Sequence, residues 1–282
     1  MIDLNPASDS TLLTAADDDD AAERRIRRCA AIWRWALAAG IILGWEILTR
    51  LKIIDPYYFS SPTTIVSTAY VAATQGTLFV DIGYTSASTT VGFIVGVVAG
   101  ALLGLSTWWS RVYGRVSEPY LVTFNAIPKL ALAPILIILF GIGFESKVAL
   151  AVALTIVPAA MAAYGGVRSV DKDLETLLFS LGASRFQVFA KVVVPWAMPW
   201  IVSSLRVNIG LALAGAIVGE FIASRFGVGR MILYAGQVMD INLVWVGVVV
   251  LSILALVMYA AVMTAERYLL KGMLHGSQIG TQ

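Results

Sequence analysis

Six long apolar stretches dominate the sequence, and each is about long enough to cross a membrane as a helix. A membrane-spanning helix needs about 20 consecutive, mostly apolar residues. Only 13% of the 282 residues are charged, against about 25% in a soluble domain. The sequence therefore predicts an all-α membrane protein with six transmembrane helices. They lie near residues 31–51, 83–107, 119–141, 147–167, 199–222 and 244–266.

The segments around these stretches divide the chain into three parts. Residues 1–29 form a polar and basic N-terminal tail, and the acidic tract Asp17–Asp20 favours disorder over residues 1–22. Residues 30–270 form the six-span domain, and residues 271–282 a C-terminal tail. Between the first two spans, the stretch after Pro62 predicts a short amphipathic helix at the membrane surface.

The distribution of Lys and Arg predicts the orientation of the spans. Thirteen of these residues fall on one side and five on the other, with Lys129 and Arg206 inside spans. Because cytoplasmic loops carry an excess of Lys and Arg, both termini and the 168–198 loop are predicted to be cytoplasmic. The richer side holds Arg24, Arg25, Arg27, Arg28, Arg34, Arg111, Arg115, Arg168, Lys172, Arg185, Lys191, Arg267 and Lys271. The other side holds Arg50, Lys52, Lys147, Arg225 and Arg230.

The 168–198 loop has the pattern of a helical hairpin. Acidic residues open its first helix, where negative charge suits the helix dipole, and four leucines at helical spacing share one face: Leu174, Leu177, Leu178 and Leu181. Gly182 follows, and we expect it to have a left-handed backbone. Ser184 and Gln187 form a capping-box pattern, and Pro195 is predicted to end the second helix. A hairpin with an apolar face and no core of its own is suited to bind a soluble partner.

Ionisable residues within spans are costly and often functional. Lys129 lies about ten residues into the third span, about 15 Å deep, and prolines at 128 and 134 favour a bend beside it. It either attracts a passing anion or forms a structural ion pair with Glu220 or Glu145. Glu220, near the end of the fifth span, is either a gate or a satisfied interfacial carboxylate.

Four glycines at strict four-residue spacing lie in the second span: Gly92, Gly96, Gly100 and Gly104. Such a ridge lets another helix approach closely. Packing within the chain is favoured over a subunit interface.

Several kinds of chemistry are excluded by residues that the sequence lacks. One cysteine, Cys29, and one histidine, His275, cannot form a disulfide or a Cys- or His-based metal site. No Gly is followed by Lys, so there is no phosphate-binding loop of the G-x-x-x-x-G-K-[ST] type. We therefore expect no enzyme activity, no bound cofactor and no nucleic-acid partner. Energy for any transport has to come from a partner or an ion gradient.

Several motifs together resemble the permease subunits of bacterial binding-protein-dependent ABC importers. Gly182 and Pro195 have the spacing of the EAA loop, although Thr176, Leu177 and Leu178 replace its Glu-Ala-Ala and Glu175 lies one position early. The remaining motifs are similar to the nitrate/sulfonate/taurine branch, and the resemblance covers about residues 30–270. They are Asn125–Pro134, Phe140–Gly143, Glu145–Lys147 and Val218–Ala223.

The resemblance implies a type I importer permease fold in the bacterial inner membrane, with a coupling helix that docks on a cytoplasmic ATPase. It implies two ATPase subunits that bind ATP and Mg²⁺, a second permease copy and a periplasmic substrate-binding protein. The solute is expected to be a small anion, with Asn125, Lys129 and Glu220 on its path. The coupling residues are expected to be Glu175, Leu178, Leu181, Gly182, Ala183, Ser184 and Pro195.

Two other classes of function were weighed against this one. A secondary transporter driven by an ion gradient would need paired carboxylates at the midplane or broken inverted repeats, and neither is evident. A membrane-embedded enzyme would need a nucleophile, metal ligands or an acid–base pair, and the sequence has no convincing set.

Overall fold

The computed structural model describes residues 6–278, with side chains described for 25, 26, 29, 30 and 32–269. This part of the chain is helical and contains no strand. Its helices are α1 (Pro6–Arg50), α2 (Pro56–Phe59), α3 (Pro62–Thr74), α4 (Thr77–Ser106), α5 (Arg111–Ala126), α6 (Ala133–Phe140), α7 (Phe144–Arg168), α8 (Lys172–Ser180), α9 (Arg185–Val188), α10 (Val194–Ile222), α11 (Val228–Gln237) and α12 (Ile241–Gln278).

Five continuous helical stretches are long and apolar enough to cross a membrane, and a bent pair can form a sixth span. The five are Ile32–Arg50, Thr77–Trp109, Phe144–Arg168, Arg185–Ile222 and Ile241–Leu269. They match five of the predicted spans.

The third span differs from the single continuous helix that was predicted over 119–141. Its two halves, α5 and α6, meet at an angle of 76°. Ile127 is extended, as residues before proline tend to be, and Pro128 lacks a backbone N–H. A short 3₁₀ turn, Lys129–Leu132, then leads into α6. The bend that the prolines predicted is confirmed, and it is sharp enough to break the helix.

The chain divides into two compact units, and the first ends at Val66. Its main element is α1, which begins at Pro6. From that residue onward the predicted disordered tail is helical in the structure, since alanine and arginine near the acidic tract favour helix. Glu46, near the end of α1, accepts hydrogen bonds from Arg50 at 2.7 Å and from the backbone of Thr63 at 3.1 Å. These contacts connect α1 to the first turn of α3, whose helical conformation was predicted.

The core of the second unit is formed by α4, α7 and α10. All four ridge glycines of α4 are buried. A Cβ atom at Gly92 would overlap the Ala151 side chain, and one at Gly100 would overlap the backbone of α7. The glycine ridge therefore packs against α7 of the same chain, as predicted, and allows the two backbones to approach closely.

The second helix of the 168–198 loop does not end at Pro195, which corrects the prediction. α9 continues through a π-helical turn, Phe189–Val193, directly into α10. Pro195 lies in the first turn of α10, where its missing N–H costs little because the preceding wide turn has already shifted the hydrogen-bond register. The result is one helical stretch over Arg185–Ile222.

Two helices were not predicted, the single-turn helix α2 and the longer helix α11. The helix α11 has ten residues and follows the loop after α10. Val228, Met231 and Ala235 lie on its buried side, and it packs against α12, α10 and α4. It is too short to give the apolar stretch on which the prediction of spans relied.

Candidate coupling and translocation sites

The predicted hairpin is present, and we call residues 171–188 the coupling hairpin. Asp171 caps α8 by accepting a hydrogen bond from the backbone N–H of Asp173 at 2.9 Å. Gly182 has a φ of 83°, and the N–H groups of Gly182 and Ala183 return to the carbonyls of Phe179 and Leu178, both at 3.0 Å. This is the hydrogen-bond pattern of a Schellman motif. The predicted left-handed glycine is confirmed.

The second helix of the coupling hairpin begins as the sequence predicted. The side chain of Ser184 accepts a hydrogen bond from the backbone N–H of Gln187, and the Gln187 side chain accepts one from the backbone N–H of Ser184 at 2.8 Å. The two bonds form a complete capping box. The angle between α8 and α9 is therefore set by Gly182 and by this capping box together.

The leucines of α8 differ in their surroundings, because some pack against other helices of the chain and others face solvent. Leu174 and Leu178 pack against an apolar cluster formed by Val170, Val192 and Val193. Leu178 is therefore partly buried against other helices of the chain, and its role in coupling stays a prediction. The large apolar side chains of the coupling hairpin that remain exposed are Leu177 at 55%, Phe179 at 41%, Leu181 at 74% and Phe186 at 67%. Phe186 was not predicted because it lies on α9.

Glu175 is directed into the protein. One of its carboxylate oxygens accepts a hydrogen bond from the indole N–H of Trp108 at 3.0 Å. Trp108 lies in a 3₁₀ turn at the end of α4, and its ring packs against that of Phe189, with centroids 5.6 Å apart. Glu175 and the apolar cluster thus connect the coupling hairpin to α4 and to the π-helical turn before α10.

Lys129 lies at the break between α5 and α6. The residue is half-buried, and its ammonium group donates a solvent-exposed hydrogen bond to the backbone carbonyl of Asn125 at 3.0 Å. That carbonyl is at the end of α5, where the helix leaves acceptors unpaired. Neither predicted ion pair, with Glu220 or with Glu145, is among those formed by the described side chains. Asn125 itself is exposed.

Glu220 belongs to a buried polar cluster at the opposite end of the bundle from the coupling hairpin. Its side chain is fully buried and accepts hydrogen bonds from the Thr85 hydroxyl at 2.8 Å and the backbone N–H of Gly229 at 2.8 Å. Thr85 in turn accepts from the N–H of Val228 at 2.9 Å, and Asp81 accepts from the N–H of Gly227 at 2.7 Å. We call Asp81, Thr85 and Glu220 the far-end polar cluster.

The far-end polar cluster supplies hydrogen-bond acceptors for the first backbone N–H groups of α11. Those groups carry the positive end of the helix dipole and need acceptors when they are buried. Glu220 therefore holds α11 against α4, and its carboxylate is enclosed. This arrangement agrees with the alternative of a satisfied carboxylate, and the place of Glu220 on the translocation pathway stays a prediction.

Lys147 is a buried cation, which the sequence placed at the outer end of the fourth predicted span. It is fully buried in the first turn of α7 and donates hydrogen bonds to the backbone carbonyl of Ala223 and, at 3.3 Å, to the Ser146 hydroxyl. Ala223 immediately follows α10, so Lys147 holds the start of the loop whose end is held by Glu220. Two signals were available in the sequence, namely the position of Lys147 at the border of an apolar run and its place in the Glu145–Lys147 motif.

Arg206 pairs with Glu266 on α12, through contacts of 2.6 and 3.0 Å. The sequence had shown only that Arg206 lies inside a span, and it did not indicate this partner. Among the residues that the structure describes, no group of His, Cys, Asp and Glu could hold a metal ion.

Comparison with known proteins identifies the class to which this arrangement belongs. Residues 92–275 match the family described as binding-protein-dependent transport system inner membrane component. Because this match covers more than half of the chain, the chain belongs to that family. It is a permease of an ABC importer, a transport component that works with a separate ATPase subunit and a substrate-binding protein.

Individual relatives and solved structures support the same class. The formylaminopyrimidine transport permease protein of Halalkalibacterium halodurans is 33% identical, over 82% of this chain and 91% of the relative. The taurine transport system permease protein of Escherichia coli is 28% identical, over 84% of this chain and 92% of the relative. An inward-facing structure of the MetNI methionine ABC transporter shares the fold, with a TM-score of 0.60 and 19% identity over 70% of this chain and 97% of that chain. The predicted type I importer permease fold is thereby confirmed.

Proposed function

We propose that two copies of this permease, with two cytoplasmic ATPases, import a small anionic solute from a periplasmic binding protein across the bacterial inner membrane. Both termini and the coupling hairpin face the cytoplasm, in accordance with the excess of Lys and Arg on that side. ATP and Mg²⁺ bind to the ATPase subunits. The hairpin docks on the ATPase, and its movement opens and closes the path between the two copies.

One observation carries the coupling role. The coupling hairpin exposes Leu177, Leu181 and Phe186 on one side and is fixed to the permease on the other. An amphipathic helix that presents its apolar side chains at such spacing suits a groove on a partner protein. Because the Glu175–Trp108 hydrogen bond and the packing of Phe189 reach α4 and α10, a displacement of the docked hairpin is transmitted to the core helices.

The coupling role is tested by replacing exposed apolar residues in the assembled transporter. The double variant Leu181→Ser/Phe186→Ser should insert and fold normally, since both side chains are exposed. Loss of apolar contacts of this kind typically costs about 2 kcal/mol or more, so binding of the ATPase should weaken at least about 30-fold. ATPase pull-down and solute uptake in proteoliposomes measure the loss.

The control is Val112→Ser, which changes a residue that is 72% exposed at the start of α5. It should leave both measurements unchanged. Normal coupling in the double variant would show that this face does not bind the ATPase.

The anionic nature of the solute is proposed from Lys129 and from the relatives that carry taurine and aliphatic sulfonates. A lysine ammonium at a break in a span favours an anion. Its only described hydrogen bond is to a carbonyl, so its charge is not neutralised.

The relative named for formylaminopyrimidine supports a second candidate class of solute. A formylamino group on a pyrimidine ring carries no acidic group, so the two classes can be distinguished with Lys129 variants. For an anion, Lys129→Met should lower uptake at least about tenfold, and Lys129→Arg should preserve much of it. Uptake of taurine and of formylaminopyrimidine, each with its binding protein, provides the measurement. Transport by Lys129→Met equal to that of the wild type would remove this residue from the path.

A further inference from the structure

A cavity of about 370 Å³ lies where α5, α7 and α8 meet the end of α4. Its charged lining consists of four cations and two carboxylates: Arg111, Arg115, Arg168, Lys172, Glu118 and Glu175. We call this the basic cavity. It belongs neither to the docking face of the coupling hairpin nor to the break at Lys129.

The carboxylates of the basic cavity are already engaged, whereas most of its cations are not. Glu118 accepts from Arg168 at 2.7 Å and from the Tyr164 hydroxyl at 2.9 Å, and Glu175 accepts from the Trp108 indole. Within the described part of the chain, Arg111, Arg115 and Lys172 form no ion pair. Four cations against two carboxylates leave the lining with an excess of two positive charges, and this arrangement favours a bound anion.

The position of the basic cavity relative to the membrane indicates the source of that anion. Its lining includes Trp108, at the end of the span Thr77–Trp109, and Arg168, the last residue of the span Phe144–Arg168. Span ends lie at the level of the lipid headgroups, where tryptophan is also enriched. Basic pockets between membrane-spanning helices on the cytoplasmic side are suited to anionic headgroups.

A second cavity provides an apolar surface next to the first. It has a volume of about 460 Å³, shares Thr107 with the basic cavity and lies between α4, α5 and α7. Its lining is mostly apolar and aromatic, with Val116, Tyr120, Phe124 and Ile156 among the residues. A soluble phosphate has no apolar part that could contact this surface, whereas an acyl chain would be stabilised by burial against it.

We propose that the basic cavity binds the phosphate headgroup of an anionic phospholipid. Arg111, Arg115 and Lys172 contact the phosphate, and an acyl chain lies against the apolar cavity beside α5. Because Lys172 is the first residue of α8, the lipid joins the coupling hairpin to α5. The lipid is therefore expected to strengthen coupling as well as to bind.

The test uses the assembled transporter in lipid nanodiscs made of phosphatidylcholine alone or of phosphatidylcholine mixed with phosphatidylglycerol. Native mass spectrometry then measures the phospholipid that stays bound. The wild type should retain phosphatidylglycerol in preference to phosphatidylcholine. Arg111→Gln/Arg115→Gln should weaken this retention at least about tenfold, whereas Arg111→Lys/Arg115→Lys should keep most of it.

The matched control is Arg25→Gln/Arg34→Gln, which removes the same charge from exposed arginines of α1. It should retain phosphatidylglycerol like the wild type. ATPase activity stimulated by the loaded binding protein should rise with phosphatidylglycerol in the wild type and the control, and not in Arg111→Gln/Arg115→Gln. Inorganic phosphate added to phosphatidylcholine nanodiscs should not reproduce this rise.

Three results would overturn the proposal. One is equal retention of phosphatidylglycerol by Arg111→Gln/Arg115→Gln and the wild type. Another is an equal loss of retention in the arginine control, which would mean that net charge alone attracts the lipid. The third is full replacement of the lipid by inorganic phosphate, which would assign the cavity to a soluble anion. Since ATPase docking is measured separately through Leu181 and Phe186, failure here leaves the proposed function intact.

Discussion

At the scale of single residues, two buried charges on neighbouring helices hold one loop between them. Lys147 on α7 binds the carbonyl of Ala223, at the start of the loop, while Glu220 on α10 binds the N–H of Gly229 beyond its end. Both side chains are fully buried, although they are not within ion-pair distance of each other. Each side chain binds one backbone group of this region and one side-chain hydroxyl, of Thr85 or Ser146, and the loop's conformation depends on both.

Glu220→Ala should destabilise the protein more than Glu220→Gln. The alanine leaves the Gly229 N–H and the Thr85 hydroxyl without their acceptor, and a buried donor without a partner costs about 1–3 kcal/mol. The loss should be about 3 kcal/mol for alanine and about 1 kcal/mol for glutamine, which keeps one acceptor oxygen. Thermal unfolding of the detergent-solubilised protein checks the order. Unchanged stability combined with abolished transport would place Glu220 on the solute path.

At the scale of elements, the coupling hairpin depends on the backbone of Gly182 and not on the space around it. No atom lies within 4 Å of a Cβ placed there, yet its φ of 83° is unfavourable for residues with side chains. The N–H of Gly182 and that of Ala183 close α8, so a different φ would turn α9 and Phe186 away from α8.

Gly182→Val should uncouple ATP hydrolysis from transport, whereas Gly182→Asn should be tolerated. Asparagine adopts the left-handed conformation more readily than other residues with side chains, and a β-branched residue does so least. The strain in valine is of the order of 1–2 kcal/mol, enough to displace the hairpin without unfolding the spans. The comparison is between binding-protein-stimulated ATPase activity and uptake in the same proteoliposomes. Equal behaviour of the two variants would show that the backbone conformation at Gly182 does not matter.

Elements that depend on local sequence were predicted, and those that depend on tertiary contacts were not. The capping box, the glycine C-cap and the glycine ridge of α4 could be predicted because each depends only on residue types at fixed spacing along the sequence. By contrast, α11 is stabilised by hydrogen-bond acceptors on α4 and α10. Two of these acceptors, Asp81 and Thr85, lie more than a hundred positions before α11 in the sequence. The π-helical turn that carries the helix past Pro195, and the inward direction of Leu178, likewise depend on packing against neighbouring helices.

At the scale of the whole molecule, the ends of the bundle have different chemistry. One end carries the coupling hairpin and the basic cavity, where exposed cations are numerous. The opposite end carries the far-end polar cluster, in which charged groups are buried and engaged. The number and type of spans followed from hydropathy, whereas the break at Lys129 and the pairing of Arg206 with Glu266 needed the structure. Charge asymmetry gives the orientation that the proposed function requires.

That orientation predicts from which side of the membrane a reagent can reach each end of the bundle. In a Cys29→Ser background, Ser180→Cys places a thiol on α8 of the coupling hairpin, and Gln75→Cys places one between α3 and α4. Both positions are exposed, so neither change should disturb packing. A membrane-impermeant maleimide should label Gln75→Cys in intact spheroplasts and Ser180→Cys only in inside-out vesicles. Labelling of Ser180→Cys in spheroplasts would place the hairpin outside the cell, where no cytoplasmic ATPase could bind Leu181 and Phe186.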